Sequence, residues 1–258
     1  MRVMVTNERI PRGWRYRWQS HTLDLSAGGS LLAWQFDETA RLYVSPASKP
    51  DRRLRGGLPV CWPWFGPAKT PGLPPHGFLQ DSQFSEPQCE ASEDRLTLTL
   101  HHQFAVEGQL ADITLYYRLS RDGVLSVGAA VRNLGQTPLT FDIGFHPYLA
   151  LPPETRTLAV RQGDSVKPLP RAIDEKWPLT ASSLDLLLNG ETWLTLTSEG
   201  FEQLGLWRID DAKAQAIADL PDDACDDFFC LEPLSLGVVL GAQQQQAWQT
   251  TFCWHNHH

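Results

Sequence analysis

Across 258 residues no apolar run approaches the roughly 18 needed to span a bilayer. The opening stretch, Met1-Arg2-Val3-Met4-Val5-Thr6-Asn7-Glu8, has no apolar core of a secretory signal. A cytoplasmic protein without a membrane partner is therefore expected. Positive charge is also short: 22 Lys and Arg face 30 Asp and Glu, a net charge of −8. A nucleic-acid partner, which needs a basic stripe, is not expected. The one basic cluster, Lys49, Arg52, Arg53 and Arg55, reads as a solvated loop or a local cationic pocket. The five cysteines are odd in number, scattered and without a C-x-x-C pair. This excludes a disulfide framework or a zinc ribbon and points to reduced thiols. Helical periodicity is nearly absent, the best candidate being the short segment Asp210 to Leu220, and no repeat of 20–50 residues is evident.

What is present is a strand pattern. Hydrophobic residues at 42% and charged residues at 20% exclude a disordered chain, and a chain of this size buries about 70–75% of its unfolded surface. In Arg95-Leu96-Thr97-Leu98-Thr99-Leu100-His101 the leucines fall on one face, as in a half-buried strand. Asp112 to Leu119 and Val124 to Val131 flank Arg121-Asp122-Gly123, a hairpin turn in which Gly accepts positive φ. Leu139 to Phe145, Thr192 to Thr197 and Trp248 to Trp254 read as further strands. With Gly 19 and Pro 19 as punctuation, the pattern predicts an all-β sandwich or barrel with few short helices, a single domain over residues 1–258. Leu151 to Pro178, rich in proline and charge, reads as a long loop with irregular strands. Gln243 to Gln246 reads as a solvated turn or strand edge.

Three segments carry candidate chemistry. Arg55-Gly56-Gly57-Leu58-Pro59-Val60-Cys61-Trp62-Pro63-Trp64-Phe65-Gly66-Pro67, followed by Pro75-His76-Gly77-Phe78, is too dense in Gly, Pro and aromatics for a regular element. It is either a packed aromatic corner or the wall of a sugar site, since pyranose C–H faces lie flat on aromatic rings. Gly144-Phe145-His146-Pro147-Tyr148-Leu149 puts a histidine at a strand end, as a structural hydrogen-bond partner or a proton carrier. In Phe228-Phe229-Cys230-Leu231-Glu232-Pro233 a carboxylate sits inside an apolar run. Burying it is costly unless it is paired, so Glu232 is either in a buried salt bridge or a catalytic base.

The motifs R-G-G-L-P-V-C-W-P-W-F-G-P, H-G-F, H-P-Y-L and D-L-P-D-D…F-x-C-L-E resemble the aldose 1-epimerase (galactose mutarotase-like) superfamily. Within it they are most similar to the hexose-6-phosphate mutarotases, or glucose-6-phosphate 1-epimerases, from Leu31-Leu32-Ala33-Trp34 to Glu232. The resemblance implies a β-supersandwich, no cofactor and no metal, a small-molecule sugar or sugar phosphate as the partner, and a monomer. By motif position it implies His146 as general acid, Glu232 as general base, and His76 as a group polarising the sugar near its ring oxygen. Arg55 and Asp219 would bind substrate. Anomers exchange when O1 loses a proton while the ring oxygen gains one, the C1–C2 bond rotates, and the ring closes on the other aldehyde face. With ordinary values, about 4.3 for a glutamate and 6.5 for a histidine, Glu232 would be ionised and His146 able to supply a proton, the two at opposite sides of C1.

Two departures bear on substrate. The phosphate branch reads H-G-F-A-R where this chain has His76-Gly77-Phe78-Leu79-Gln80, and its T-D-R-x-Y stretch is replaced near Ser182-Ser183-Leu184-Asp185-Leu186. A phosphate site favours several Arg or Lys donors, so a weaker dependence on phosphate is expected, with Arg52, Arg53 and Arg55 as partial substitutes. Two other classes compete. One is a non-catalytic sugar-binding or sensing protein on the same fold. The other is a cupin-type metalloenzyme using His76, His146 and Glu232, although such sites favour a clustered H-x-H and the only one here is His255-Asn256-His257 at the chain end.

Overall fold

In the computed structural model, residues 4–68, 70–106 and 108–255 are described. The chain is all-β, built on three antiparallel sheets. The first is a meander of Val5–Ile10, Gly13–Trp18, His21–Ser26, Leu31–Phe36 and Thr39–Ala40. The second has nine strands, ordered Ser165–Leu169, Leu158–Gln162, Ser183–Leu188, Glu191–Glu199, Gln245–Trp254, Leu125–Asn133, Gln109–Ser120, Arg95–Val106 and Gln88–Ala91. The third runs Ile173–Pro178, Gln203–Arg208, Phe228–Leu240, Leu139–Phe145 and Val60–Cys61, with Tyr148–Ala150 added against Phe228–Leu240.

The alternation seen in the sequence is what packs these layers. Leu96, Leu98 and Leu100 face inward across from Leu119, Tyr117 and Leu115, all buried to within 1%. Each such leucine contributes about 1.5–3 kcal/mol by leaving water. They join one core cluster with Trp34 of the meander and Leu204, Leu206, Phe229 and Leu231 of the third sheet.

Phe228–Leu240 is the axis of the site. Its first eight residues are buried on both faces. Phe229 and Leu231 enter the main core, whereas Phe228 and Cys230 enter a smaller cluster with Tyr148, Ile209 and Leu220. Glu232, two residues from Cys230, shares that second face by the period of two.

Two readings need correction. Leu151 to Pro178 is more regular than a long loop with irregular strands: it contains Leu158–Gln162, Ser165–Leu169 and Ile173–Pro178, each paired in a sheet. The first of these is paired on both sides, and the other two are sheet edges. Edge strands tolerate proline, because an unpaired N–H is not missed there, and their exposed residues show no alternation. The helix read over Asp210 to Leu220 shrinks to Asp211–Gln215, started by the Asp210 carboxylate accepting from the Lys213 N–H.

Candidate active site

His146 and Glu232 meet because the sheet is interrupted between them. Leu139–Phe145 pairs with the long strand through Gly144 opposite Leu234, and Tyr148–Ala150 resumes the pairing with Tyr148 opposite Cys230. Residues 145–147 bridge this gap beside Glu232. Pro147 has no N–H to continue the ladder, and the His146 N–H donates to the Pro59 carbonyl instead (3.0 Å). The result is 3.2 Å between His146 Nε2 and Glu232 Oε1, with side-chain exposures of 10% and 6%. The contact lacks hydrogen-bond alignment: Glu232 Oε1 has no hydrogen-bond partner among the described residues, nor does His146 Nδ1.

His76 is delivered by the Gly/Pro/aromatic loop. Its backbone is left-handed (φ +62°), a conformation costly for a non-glycine residue. Hydrogen bonds from both sides hold it. The His76 N–H donates to Gly66 O (2.7 Å), and the Gly66 N–H donates to His76 Nδ1 (3.3 Å), which leaves the proton on Nε2. Arg53 clamps the flanks: it donates to the carbonyls of Pro75 and Gly77 (both 2.7 Å) and pairs with Asp81. Gly77 is obligatory, since a Cβ there would stand 1.9 Å from the Trp62 carbonyl oxygen. Asp142 anchors the other end of the loop by accepting from the Phe65 N–H (3.1 Å).

The two histidine rings are 5.0 Å apart, centroid to centroid. Tyr148 stacks on His146 at 5.0 Å, with Phe65 and Trp207 also around it. Arg55 reaches Asp219 (Nε to Oδ1, 3.1 Å) and the Tyr148 hydroxyl (3.3 Å). The cavity these residues line measures about 280 Å³, near the lower end of the roughly 300–1,000 Å³ usual for small ligands. A side chamber of about 100 Å³ adjoins it, lined by Arg53, Arg55, His76, Gln80, His146 and Asp219 among others. A roomier cavity of about 480 Å³ beside Arg41, Trp193 and His255 contains none of these residues.

Sequence reasoning missed three contributors. Lys176, Gly205 and Glu232 lie in one row across three neighbouring strands, and Asp174 lies opposite Trp207. Gly205 keeps the floor low beside the base, because a Cβ there would come within 2.7 Å of Glu232 Oε2. Asp174 and Lys176 were hidden in the segment read as loop. Arg53, read as a phosphate donor, is committed to the His76 loop. Of His255-Asn256-His257, the last two residues lie outside the described residues, as do Met1 to Val3.

The electrostatics reverse the protonation expected from ordinary values. Burial raises Glu232 to about 8, with the nearby Asp174 charge adding and Lys176 opposing. Burial also drives His146 well below 6.5, assisted by His76, and lowers His76 to about 4, assisted by Arg53 and Arg55. The charged form is penalised in each case. At neutral pH the His146–Glu232 pair holds one proton, and it rests on the carboxyl. The two groups stand side by side.

Three antiparallel sheets in this order form the all-β fold of galactose mutarotase-like proteins. A galactose 1-epimerase of known structure from Lactobacillus acidophilus NCFM superposes with a TM-score of 0.76 at 10% identity, covering 99% of this chain and 100% of that one, a likeness of fold. The chain belongs to the aldose 1-epimerase family, whose profile matches residues 25–171, more than half of it. An Escherichia coli K12 protein named "Putative glucose-6-phosphate 1-epimerase" is 39% identical over 75 residues, 28% of this chain and 26% of its own length. A Cenchrus ciliaris protein of the same name is 23% identical over 86% of this chain and 77% of its own length. No helix among the described residues is long and apolar enough to cross a membrane.

Proposed function

We propose that the chain, as a monomeric single domain in the cytoplasm, interconverts the α and β anomers of a hexose by ring opening and closure. The observation that carries this is the buried 3.2 Å approach of His146 to Glu232. O1 and the ring oxygen are bonded to the same carbon, so the groups serving them have to stand close together. Glu232 takes the O1 proton, His146 delivers one to the ring oxygen, and closure on the other aldehyde face reverses both transfers. The productive form is a tautomer of the resting pair and contains the same single proton. His76 presents its Nε2–H to the sugar, and Arg55, fixed by Asp219, donates to a hydroxyl. Phe65 and Trp207 offer aromatic faces to the ring.

The substrate class follows from the charges left over. Arg53 is spent on the His76 loop, the Arg55 charge is offset by Asp219 while its Nε and Nη1 serve Asp219 and Tyr148, and Gln80 is neutral. The side chamber thus offers a phosphate only what remains of Arg55, with Lys176 and Lys213 in the main cavity as the other cations, which supports a free hexose, or a hexose 6-phosphate with a reduced contribution from phosphate. One charge-assisted contact is worth about 1.5–3 kcal/mol, or roughly 10–150-fold. Anomer exchange by NMR on glucose, galactose and glucose 6-phosphate tests this. Turnover of a free hexose is expected, with Gln80→Arg raising kcat/KM for the phosphate alone. A preference of several orders of magnitude for the phosphate, unchanged in Gln80→Arg, overturns the substrate assignment. Binding of all three sugars without exchange replaces catalysis with sugar sensing.

A further inference from the structure

Cys230 has no place in the acid–base chemistry, yet it stands against both groups that do. It lies two residues from Glu232 on the same face of one strand, opposite Tyr148 on the next, and is fully buried. One ligand atom each from His146, Cys230 and Glu232 falls within 4.8 Å of the others. Glu232 Oε1 is buried and has no hydrogen-bond partner. An imidazole, a thiol and a carboxyl in a tight triangle form a donor set that soft and borderline cations prefer over magnesium or calcium.

We propose that this triangle is an inhibitory site for a thiophilic divalent cation such as zinc. Ligand atoms bind zinc at roughly 2.0–2.3 Å, which places them about 3.5 Å apart in a tetrahedral shell. The His146–Glu232 edge is already 3.2 Å, so only the Cys230 edges, which lie within 4.8 Å, have to shorten. His146 and Glu232 line the sugar pocket, and the fourth coordination position opens there. Binding displaces the carboxyl and thiol protons and occupies both the acid and the base. The cation and the sugar therefore exclude each other. The site stands on geometry alone, whereas its inhibitory effect rests on the proposed epimerase activity.

Cobalt(II) titration of the full chain tests the site without reference to activity. A thiolate ligand gives an intense near-ultraviolet sulfur-to-cobalt charge-transfer band, which the histidines at the chain end do not produce. A Cys89→Ser/Cys253→Ser background removes the more accessible thiols. In that background the band is expected, is lost in Cys230→Ser and in Cys230→Ala, and is suppressed by saturating sugar. Zinc is expected to inhibit anomer exchange competitively with sugar, and a chelator to restore the full rate. Magnesium and calcium have no effect at equal concentration. Cys230→Ser keeps turnover near the starting rate and needs at least tenfold more zinc for half-inhibition. Absence of the band before Cys230 is changed, or equal zinc sensitivity afterwards, overturns the proposal. A band in a chain that turns over no sugar leaves the metal site standing and removes the epimerase reading.

Discussion

The reversed protonation of the His146–Glu232 pair makes the pH profile the most discriminating measurement. Glu232 sits at about 8, not in the ordinary carboxylate range, while His146 is well below 6.5. Through neutral pH the pair therefore holds one proton, the number that ring opening needs. Above about 8 that proton is lost and no acid remains for the ring oxygen. The profile of kcat/KM, which reports the free enzyme, then falls about tenfold per unit and is down roughly a hundredfold by pH 10. The assay is exchange between anomers by saturation-transfer NMR from pH 5 to 10, with the uncatalysed rate subtracted at each pH. If Glu232 were a lone base with its acid elsewhere, the rate would climb up to pH 8 and stay high above it. That outcome would refute the shared-proton reasoning. Stability provides a second readout with a definite sign. The folded-state value of Glu232 is raised above the unfolded one, so its contribution is fully present below about 4.5 and is lost as pH rises to about 8. Glu232→Gln removes this dependence, so the variant is expected to gain on the parent by up to about 1.4 kcal/mol per pH unit over that window, read from urea midpoints.

Glu232→Gln and His146→Asn each lower anomer exchange by about 10²-fold or more with the fold retained; near-parental rates together with unchanged circular dichroism remove these residues from the mechanism. Gly205→Ala places a methyl 2.7 Å from Glu232 Oε2 and lowers turnover at least about tenfold, with an overpacking cost of about 1–3 kcal/mol in urea titration; parental kinetics show the floor to be less tight than described. Arg53→Met frees the carbonyls of Pro75 and Gly77, lets His76 drift, and lowers kcat/KM by about 10–100-fold; because Arg53 only positions His76, the alkaline limb near pH 8 stays in place, and its movement argues for a direct role in proton transfer.

The parts of this molecule legible in sequence are those where one side of a strand is wet. Leu139 to Phe145 matches the observed strand at both ends, and the Asp122-Gly123 hairpin joins Gln109–Ser120 to Leu125–Asn133. Ile173–Pro178 escaped because an exposed edge strand has no inside to alternate with, and its proline reads as a break. With it went Asp174 and Lys176, whose charges act on Glu232. The motif histidines and Glu232 were legible as unusual residue types in apolar or rigid settings. Their proton inventory was not, because it depends on how completely Phe65, Tyr148 and Trp207 close over them, and no local pattern records that. Arg53 was read by its charge, while its use is set by carbonyls more than twenty positions away.

The Arg53 clamp has a kinetic consequence. Fastened at Pro75, Gly77 and Asp81, the segment that carries His76 cannot swing as a lid, so this side of the pocket is a fixed wall. For most enzymes that would waste intermediates or admit water. Here water is no competitor, since the open-chain aldehyde recloses on itself and either ring form is a legitimate product. The two anomers leave by the same mouth, and their final ratio belongs to the sugar in solution, not to the protein. On the proposed epimerase reading a rigid wall therefore sets no gating step on turnover, which leaves proton transfer as the limit on the rate at low substrate and makes that rate insensitive to the viscosity of the medium.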